Sequence, residues 1–156
     1  MANAFERFYN FLANMGLVLR DDPPKVIDMT GRVWGAAVNG LALSIRELPR
    51  DDESRVTGIS VVIRNAAAEP RTLDGPLAAF YEVEGLTPSA YGRQLANSSA
   101  RPAASQVTLL SGDAIETELP VATTHDIRSA GDHSLRVSCK LPGGAVLCSN
   151  SLTLQV

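Results

Sequence analysis

Apolar residues recur along this chain with two different periods. Phe5, Phe8, Leu12 and Met15 follow one another at the spacing of a helix face, with Phe11 beside them and Gly16 placed as a C-terminal cap. That spacing predicts a helix over roughly residues 3–16, because side chains three and four apart share one side of a helical turn. Asp21, Asp22, Pro23 and Pro24 then stop regular structure, since proline cannot continue a helix and restricts the residue before it. Residues 1–24 therefore read as an amphipathic N-terminal helix and a proline linker, ahead of a domain spanning 25–156.

From about residue 38 the period becomes two, the mark of strands with one face inward. Leu41, Leu43 and Ile45 alternate with Ala42, Ser44 and Arg46, and the polar stretch from Leu48 to Glu53 reads as the following turn. A second strand is predicted from Val56 to Asn65, with Ile59, Val61 and Ile63 sharing a face, and Asn65 to Pro70 closes it as a loop. A third runs from Ala79 to Glu84, with Ala79, Tyr81 and Val83 together. Residues 85–105 are rich in Gly, Pro, Ser, Asn and Ala and have no clear period, which predicts an exposed, variable loop. Further strands are expected at Gln106–Leu110 and Ala114–Val121, on either side of the Ser111-Gly112-Asp113 turn.

The last two strands, His133–Leu141 and Ala145–Val156, flank Pro142-Gly143-Gly144 and form the plainest hairpin signal in the chain. A turn centred on Gly143-Gly144 sets Leu141 opposite Val146 and Cys139 opposite Cys148. Leu135, Val137, Cys139, Leu141, Val146, Cys148, Leu152, Leu154 and Val156 then face one side, interrupted only by Asn150. A polar residue there predicts a bulge or a bend of the strand between sheets. Short strands divided by turns, with one helix at an end, predict an all-β antiparallel sandwich of about seven to eight strands with a short N-terminal α-helix.

The order of motifs narrows this expectation. VWGAAVNGLALSI at 33–45, VVIRNAAAEP at 61–70, TLLSGDAIETELPV at 108–121, AGDHSLRV at 130–137 and SNSLTLQV at 149–156 resemble the strand and turn grammar of bacterial immunoglobulin-like domains. The resemblance covers roughly residues 33–156 and extends to the BsuPI-type intracellular proteinase inhibitor class, although His133 stands where an aromatic is usual. It implies an immunoglobulin-like β-sandwich. It also implies an alternative role, a proteinase-inhibitor-like module that inserts a loop such as 85–105 into a protease cleft.

Composition and charge remove several function classes. The chain has 14 basic against 17 acidic residues, a formal net charge of −3, and no basic stripe, which argues against nucleic acid or anionic lipid as an electrostatic partner. The first 22 residues lack a basic leader region, and Glu6, Arg7, Asn10 and Asn14 interrupt their apolar stretch, so no signal peptide is expected and the default location is the cytoplasm.

Candidate chemistry is sparse. His125 and His133 are the only histidines available to activate a Ser or Cys nucleophile, and no G-x-S-x-G elbow occurs. Cys139, Cys148 and the two histidines add up to four zinc-type ligands, but the hairpin register gives the cysteines no second ligand pair. In a cytoplasmic chain the two thiols read as small core hydrophobes, and a cross-strand disulfide stays open. Asp51-Asp52-Glu53 lacks the spacing of a calcium loop and reads as a solvated hairpin tip. Asn97-Ser98-Ser99 matches a glycosylation sequon, without consequence in an unsecreted chain. Phosphate and dinucleotide loops are absent, and Trp34 reads as core.

The expectation is a non-enzymatic binding or structural module with no cofactor and no metal. It would be an accessory or adaptor subunit that docks to a larger protein assembly, a membrane-associated one included, with lipid touched only peripherally through the helix. The expected partner-binding residues are Phe5, Phe8, Phe11, Leu12 and Met15 on the helix and Tyr91 and Arg93 in the 85–105 loop. The apolar stripe must be covered, and its spacing suits its own sandwich and a partner's groove equally. The sequence leaves the oligomeric state open.

Overall fold

The computed structural model describes residues 27–96, 105–127 and 131–156. The helix predicted over 3–16, with Phe5, Phe8, Phe11, Leu12 and Met15, lies outside the described residues.

The described chain is all-β in character. Nine strands pair antiparallel, joined by three short helices. β1 (Leu41–Glu47), β2 (Ile59–Asn65) and β6 (Ala114–Leu119) form one sheet with β2 in the middle. β3 (Arg71–Gly75) and β5 (Ser105–Leu109) form a two-stranded sheet. β7 (Asp132–Lys140) is the hub of the third: it pairs with β4 (Tyr81–Glu84), β8 (Val146–Cys148) and β9 (Leu152–Gln155).

The alternation read from the sequence supplies the core. Leu41, Leu43 and Ile45 from β1 meet Ile59, Val61 and Ile63 from β2 and Ile115 and Leu119 from β6. Leu73, Leu109, Tyr81, Leu135, Val137, Cys139, Leu147 and Leu154 complete the same cluster, so all three sheets share one core. Burying eleven large apolar side chains almost completely is the main stabilising term, at roughly 1.5–3 kcal/mol each before conformational entropy is counted.

β1 and β2 are buried on both faces, not on one as a half-buried strand requires. Ser44 is 0% and Ser60 1% exposed on the side opposite the core. The segment that precedes β1 covers them. Arg32 Nη2 donates to Ser60 Oγ at 2.7 Å and to Glu116 Oε2 at 3.0 Å, and Ser44 Oγ donates to the Val33 carbonyl at 2.7 Å. Trp34 is not a core plug: it is half-buried, with the Arg64 guanidinium over its ring at 4.2 Å from the centroid. A polar second face that pairs with a polar strap cannot be told from a solvated face by periodicity alone.

The final hairpin is shifted by one residue from the expected register at β8 alone; β9 keeps it, with Leu135 facing Leu152 and His133 facing Leu154. Leu141 N donates to the Ala145 carbonyl at 2.7 Å, so the loop has three residues, with Gly143 and Gly144 both at positive φ. Cys139 consequently faces Leu147, and Cys148 faces Ser138. A slip of one residue sends the side chains of β8 to the other face, and the break at Asn150 restores the expected register in β9. Leu147 is therefore core, while Val146 is 54% exposed and Cys148 is half-buried on the far side from Cys139. Both cysteines are free.

Asn150 marks the expected interruption between β8 and β9. Its Oδ1 accepts from Ile45 N at 2.8 Å and its Nδ2 donates to the Ile45 carbonyl at 3.2 Å. One side chain thus replaces a strand's backbone along the open edge of β1.

Candidate functional site

Part of the segment expected to be a loop, 85–105, is a helix, Ala90–Ala96. Ser89 starts it. Its Oγ accepts from Gly92 N at 3.0 Å, which satisfies one of the donors that every helix N-terminus leaves unpaired. The same hydroxyl donates to the Thr123 carbonyl at 2.8 Å, and Ser89 N donates to the Thr124 carbonyl at 3.0 Å. The helix is thereby clasped to a second short one, Val121–Thr124. Asp126 N donates to the Thr87 carbonyl at 2.8 Å, and Pro88 bridges to His125, extending the clasp on both sides.

Gly92 permits this contact. A Cβ there would overlap the Thr124 carbonyl oxygen, so only glycine lets the two helices meet backbone to backbone.

Between these helices and β4 lies a cleft of about 610 Å³. Tyr81, Val83, Leu95, Leu119 and Pro120 give it mainly apolar walls, and Glu82, Arg93 and His125 are its ionisable groups. The volume falls in the range of small-ligand and side-chain pockets. Glu82 and Arg93 are exposed at the cleft, and Arg93 Nη1 donates to the Pro88 carbonyl at 2.8 Å, which fixes its guanidinium beside the entrance.

His125 is half-buried in the wall, with Nδ1 2.8 Å from Thr124 Oγ1. Thr124 Oγ1 also donates to the Pro120 carbonyl at 3.3 Å, an arrangement in which the ring Nδ1–H donates to the hydroxyl. Burial lowers the pKa of this histidine below 6.5, so it is neutral at pH 7. A neutral imidazole on threonine, an exposed arginine and a glutamate among apolar walls can form hydrogen bonds and charge pairs beside an apolar surface.

Of the residues expected to bind a partner, Arg93 lines the cleft. Tyr91 lies on the same helix, half-buried, and is not among the lining residues. His133, the other histidine weighed, lies on β7 opposite Leu154, away from the cleft. Among the described residues no group of three or more His, Cys, Asp or Glu converges to hold a metal ion. Sequence reasoning missed the role of His125, Glu82 and Leu95 as neighbours. One local signal was present: Pro88-Ser89, followed by Ala90, Tyr91 and Leu95, is a helix start with an apolar side.

No family model matches the chain, and no curated protein or solved structure matches it either.

Proposed function

We propose that this chain is a non-enzymatic, immunoglobulin-like β-sandwich module, an accessory or adaptor subunit that docks to a larger protein assembly through its N-terminal helix and the 85–105 region. The observation that carries this reading is the cleft of about 610 Å³ beside the Ala90–Ala96 helix, apolar in its walls and charged at its entrance. Interfaces combine an apolar centre with a polar rim in this way, and arginine is among the residues most enriched at their energetic centres. The strand and turn motifs that resemble bacterial immunoglobulin-like domains support the sandwich, because three antiparallel sheets sharing one core are compatible with that architecture.

The test is to recover the tagged chain from its native host, identify what co-purifies, and reconstitute that complex from purified components. Leu95→Asp should weaken the reconstituted affinity about tenfold or more, as expected at an apolar interface centre, and Arg93→Glu should weaken it by reversing the charge at the rim. Unchanged affinity in both variants would refute docking at this site. Inhibition of a protease by the isolated chain, relieved by the same changes, would instead establish the inhibitor-like alternative.

A further inference from the structure

We propose that Asn39 is a self-modification site, at which the side chain closes onto the Gly40 nitrogen as a succinimide, and that the Arg71 guanidinium sets the rate by latching the peptide that must turn over. The site shares no residue with the cleft and is independent of the docking reading.

Val38 N donates to the Leu41 carbonyl at 2.8 Å and Leu41 N to the Val38 carbonyl at 2.9 Å, so Asn39 and Gly40 form a two-residue hairpin loop into β1. Both have positive φ, 53° and 78°, which identifies a type I′ turn, the geometry that Asn-Gly favours. The other asparagines among the described residues, Asn65 and Asn150, have both side-chain polar atoms held in hydrogen bonds. Asn39 is exposed, and the glycine after it has no side chain to hinder approach to its nitrogen.

Ring closure needs the Gly40 nitrogen on the same side of the Asn39 Cα–C bond as Cβ. At the type I′ value of ψ, about 30°, the nitrogen lies opposite Cβ; at the type II′ value, about −120°, the two eclipse and the five-membered ring can form. The two turns share a φ of about 60° at their first residue and differ by inversion of one peptide unit, here Asn39–Gly40. Both suit a hairpin, so the flanking strands stay in place. The carbonyl of that unit is held: Arg71 Nε donates to the Asn39 carbonyl at 2.7 Å. The guanidinium is itself placed by Nη1, which donates to the Pro70 carbonyl at 3.2 Å and lies 3.7 Å from Glu69 Oε2. Inversion withdraws the carbonyl from Arg71. The latch therefore keeps the unreactive turn, and its release admits the reactive one.

Solvent is the sole co-reactant. The Gly40 nitrogen loses its proton and attacks Asn39 Cγ, an N–C bond forms, the Cγ–Nδ2 bond breaks, and Nδ2 takes a proton from solvent and leaves as ammonia. Water then opens the ring at either carbonyl, giving aspartate or isoaspartate. Isoaspartate adds a backbone atom to a turn fixed from outside. The Gly40 carbonyl accepts from Ala66 N at 2.8 Å, and a Cβ on Gly40 would overlap Ala67. The longer turn cannot keep both the Val38–Leu41 pair and this contact, so it loosens the segment that Gly35 N fastens to the Leu43 carbonyl at 3.0 Å.

The full-length chain, folded or unfolded in urea, and its Arg71→Met and Arg71→Lys variants are incubated at mildly alkaline pH and sampled over days. Arg71 is partly exposed and outside the core, so both variants leave the packing intact. Trypsin then releases residues 33–46 by cutting after Arg32 and Arg46, and mass spectrometry separates the asparagine, succinimide, aspartate and isoaspartate forms. Asn39 should react more slowly in the folded than in the unfolded chain. Arg71→Met should raise the folded rate about tenfold, the weight of one charge-assisted hydrogen bond, and leave the unfolded rate unchanged. Arg71→Lys, which can still donate to the carbonyl, should fall between. No product in folded wild type or Arg71→Met overturns the site, and equal rates in the two overturn the latch. A gain in Arg71→Met that matches a fall in its global stability assigns the reaction to the unfolded chain and also overturns it. In the purified isoaspartate form the Val38, Leu41 and Ala66 amides should exchange faster than in Asn39→Asp; equal exchange overturns the loosening.

Discussion

Asn65 shows how one side chain can hold a turn closed. It is fully buried at the end of β2, where its Nδ2 donates to the Glu69 carbonyl at 2.9 Å and to the Leu109 carbonyl at 3.0 Å, while its Oδ1 accepts from Ala67 N at 2.9 Å. Replacing it with alanine leaves these backbone groups unsatisfied. Asn65→Ala should lower unfolding stability by about 2–3 kcal/mol, seen as a lower urea midpoint with an unchanged slope. At the same scale, His125 sets a pH dependence. Its folded pKa lies below 6.5, so as the pH falls the unfolded chain takes up the proton first. Stability is full above about 6.5 and declines on acidification below it. Asp28 and Asp51 act lower. Their pKa values are depressed mainly by backbone N–H donors, from Thr30 and Arg55 respectively, so the stability they confer is present above 3.8 and lost as the pH falls through their folded values. His125→Gln should flatten the decline that begins below about 6.5 and leave the carboxylate limb in place; a wild-type curve flat from 6.5 down to that limb would remove His125 as its cause. The two cysteines also separate. Burial pushes the Cys139 thiol up to about 11, whereas Cys148 is half-buried on the opposite face. Iodoacetamide at pH 8 should therefore label Cys148 in the native chain and reach Cys139 only after unfolding.

Elements meet here through glycine and through single polar side chains. Gly92 is the contact point of the two helices that wall the cleft, and a methyl group there would have to displace the Thr124 carbonyl. Gly92→Ala should cost about 1–3 kcal/mol as an overpacking change. Faster hydrogen exchange at Ser89 N, His125 N and Asp126 N should accompany it, because those amides bridge or adjoin the clasp; unchanged exchange at all three would show that the helices separate without strain. The limits of sequence reading lie at this scale. The core faces of β1 and β2 were legible, since Leu41, Leu43 and Ile45 and then Ile59, Val61 and Ile63 alternate without exception. β3 was not, because only Leu73 and Gly75 of its five residues are buried and neither the charged nor the polar members announce a strand. The hairpin was read correctly as a hairpin and β9 in its observed register, but β8 one residue out, since Pro142-Gly143-Gly144 suits a two-residue or a three-residue turn and only the loop's own hydrogen bonds decide. Arg93, singled out in the sequence, lines the cleft. The cleft itself was not legible, because Tyr81, Arg93, Leu119 and His125 come from separate elements, and nothing in their local sequence announces that they meet.

On the scale of the whole molecule, two polar ties supplement the shared core, one across the β1–β2–β6 sheet and one from that sheet to the β8–β9 edge. Arg32 straps the N-terminal segment across the outer face of β1, β2 and β6, through Ser60 and Glu116. Its side chain is completely buried, so its removal leaves Ser60 and the partly exposed Glu116 without their cation. The second tie is Asn150, which joins the β8–β9 edge to β1 by reproducing both halves of a backbone pairing with Ile45. The core spans the same elements, and Leu43, Ile45, Leu147 and Leu154 are all buried within it, so a break at this joint opens water access to both sides at once. Asn150→Ala should lower global stability by about 2–3 kcal/mol, since it strands the Ile45 N–H and C=O together. Asn150→Asp should cost at least as much, because a carboxylate still accepts from Ile45 N but opposes the Ile45 carbonyl with like charge. The discriminating measurement is native-state hydrogen exchange. If Asn150 is a joint for the whole molecule, the amides of Ile45 on β1 and Val137 on β7 should lose protection by the same increment, equal to the drop in unfolding free energy. Loss at Ile45 alone, with β7 unaffected, would make Asn150 a local edge cap and leave the packing of the core as the only link between the sheets.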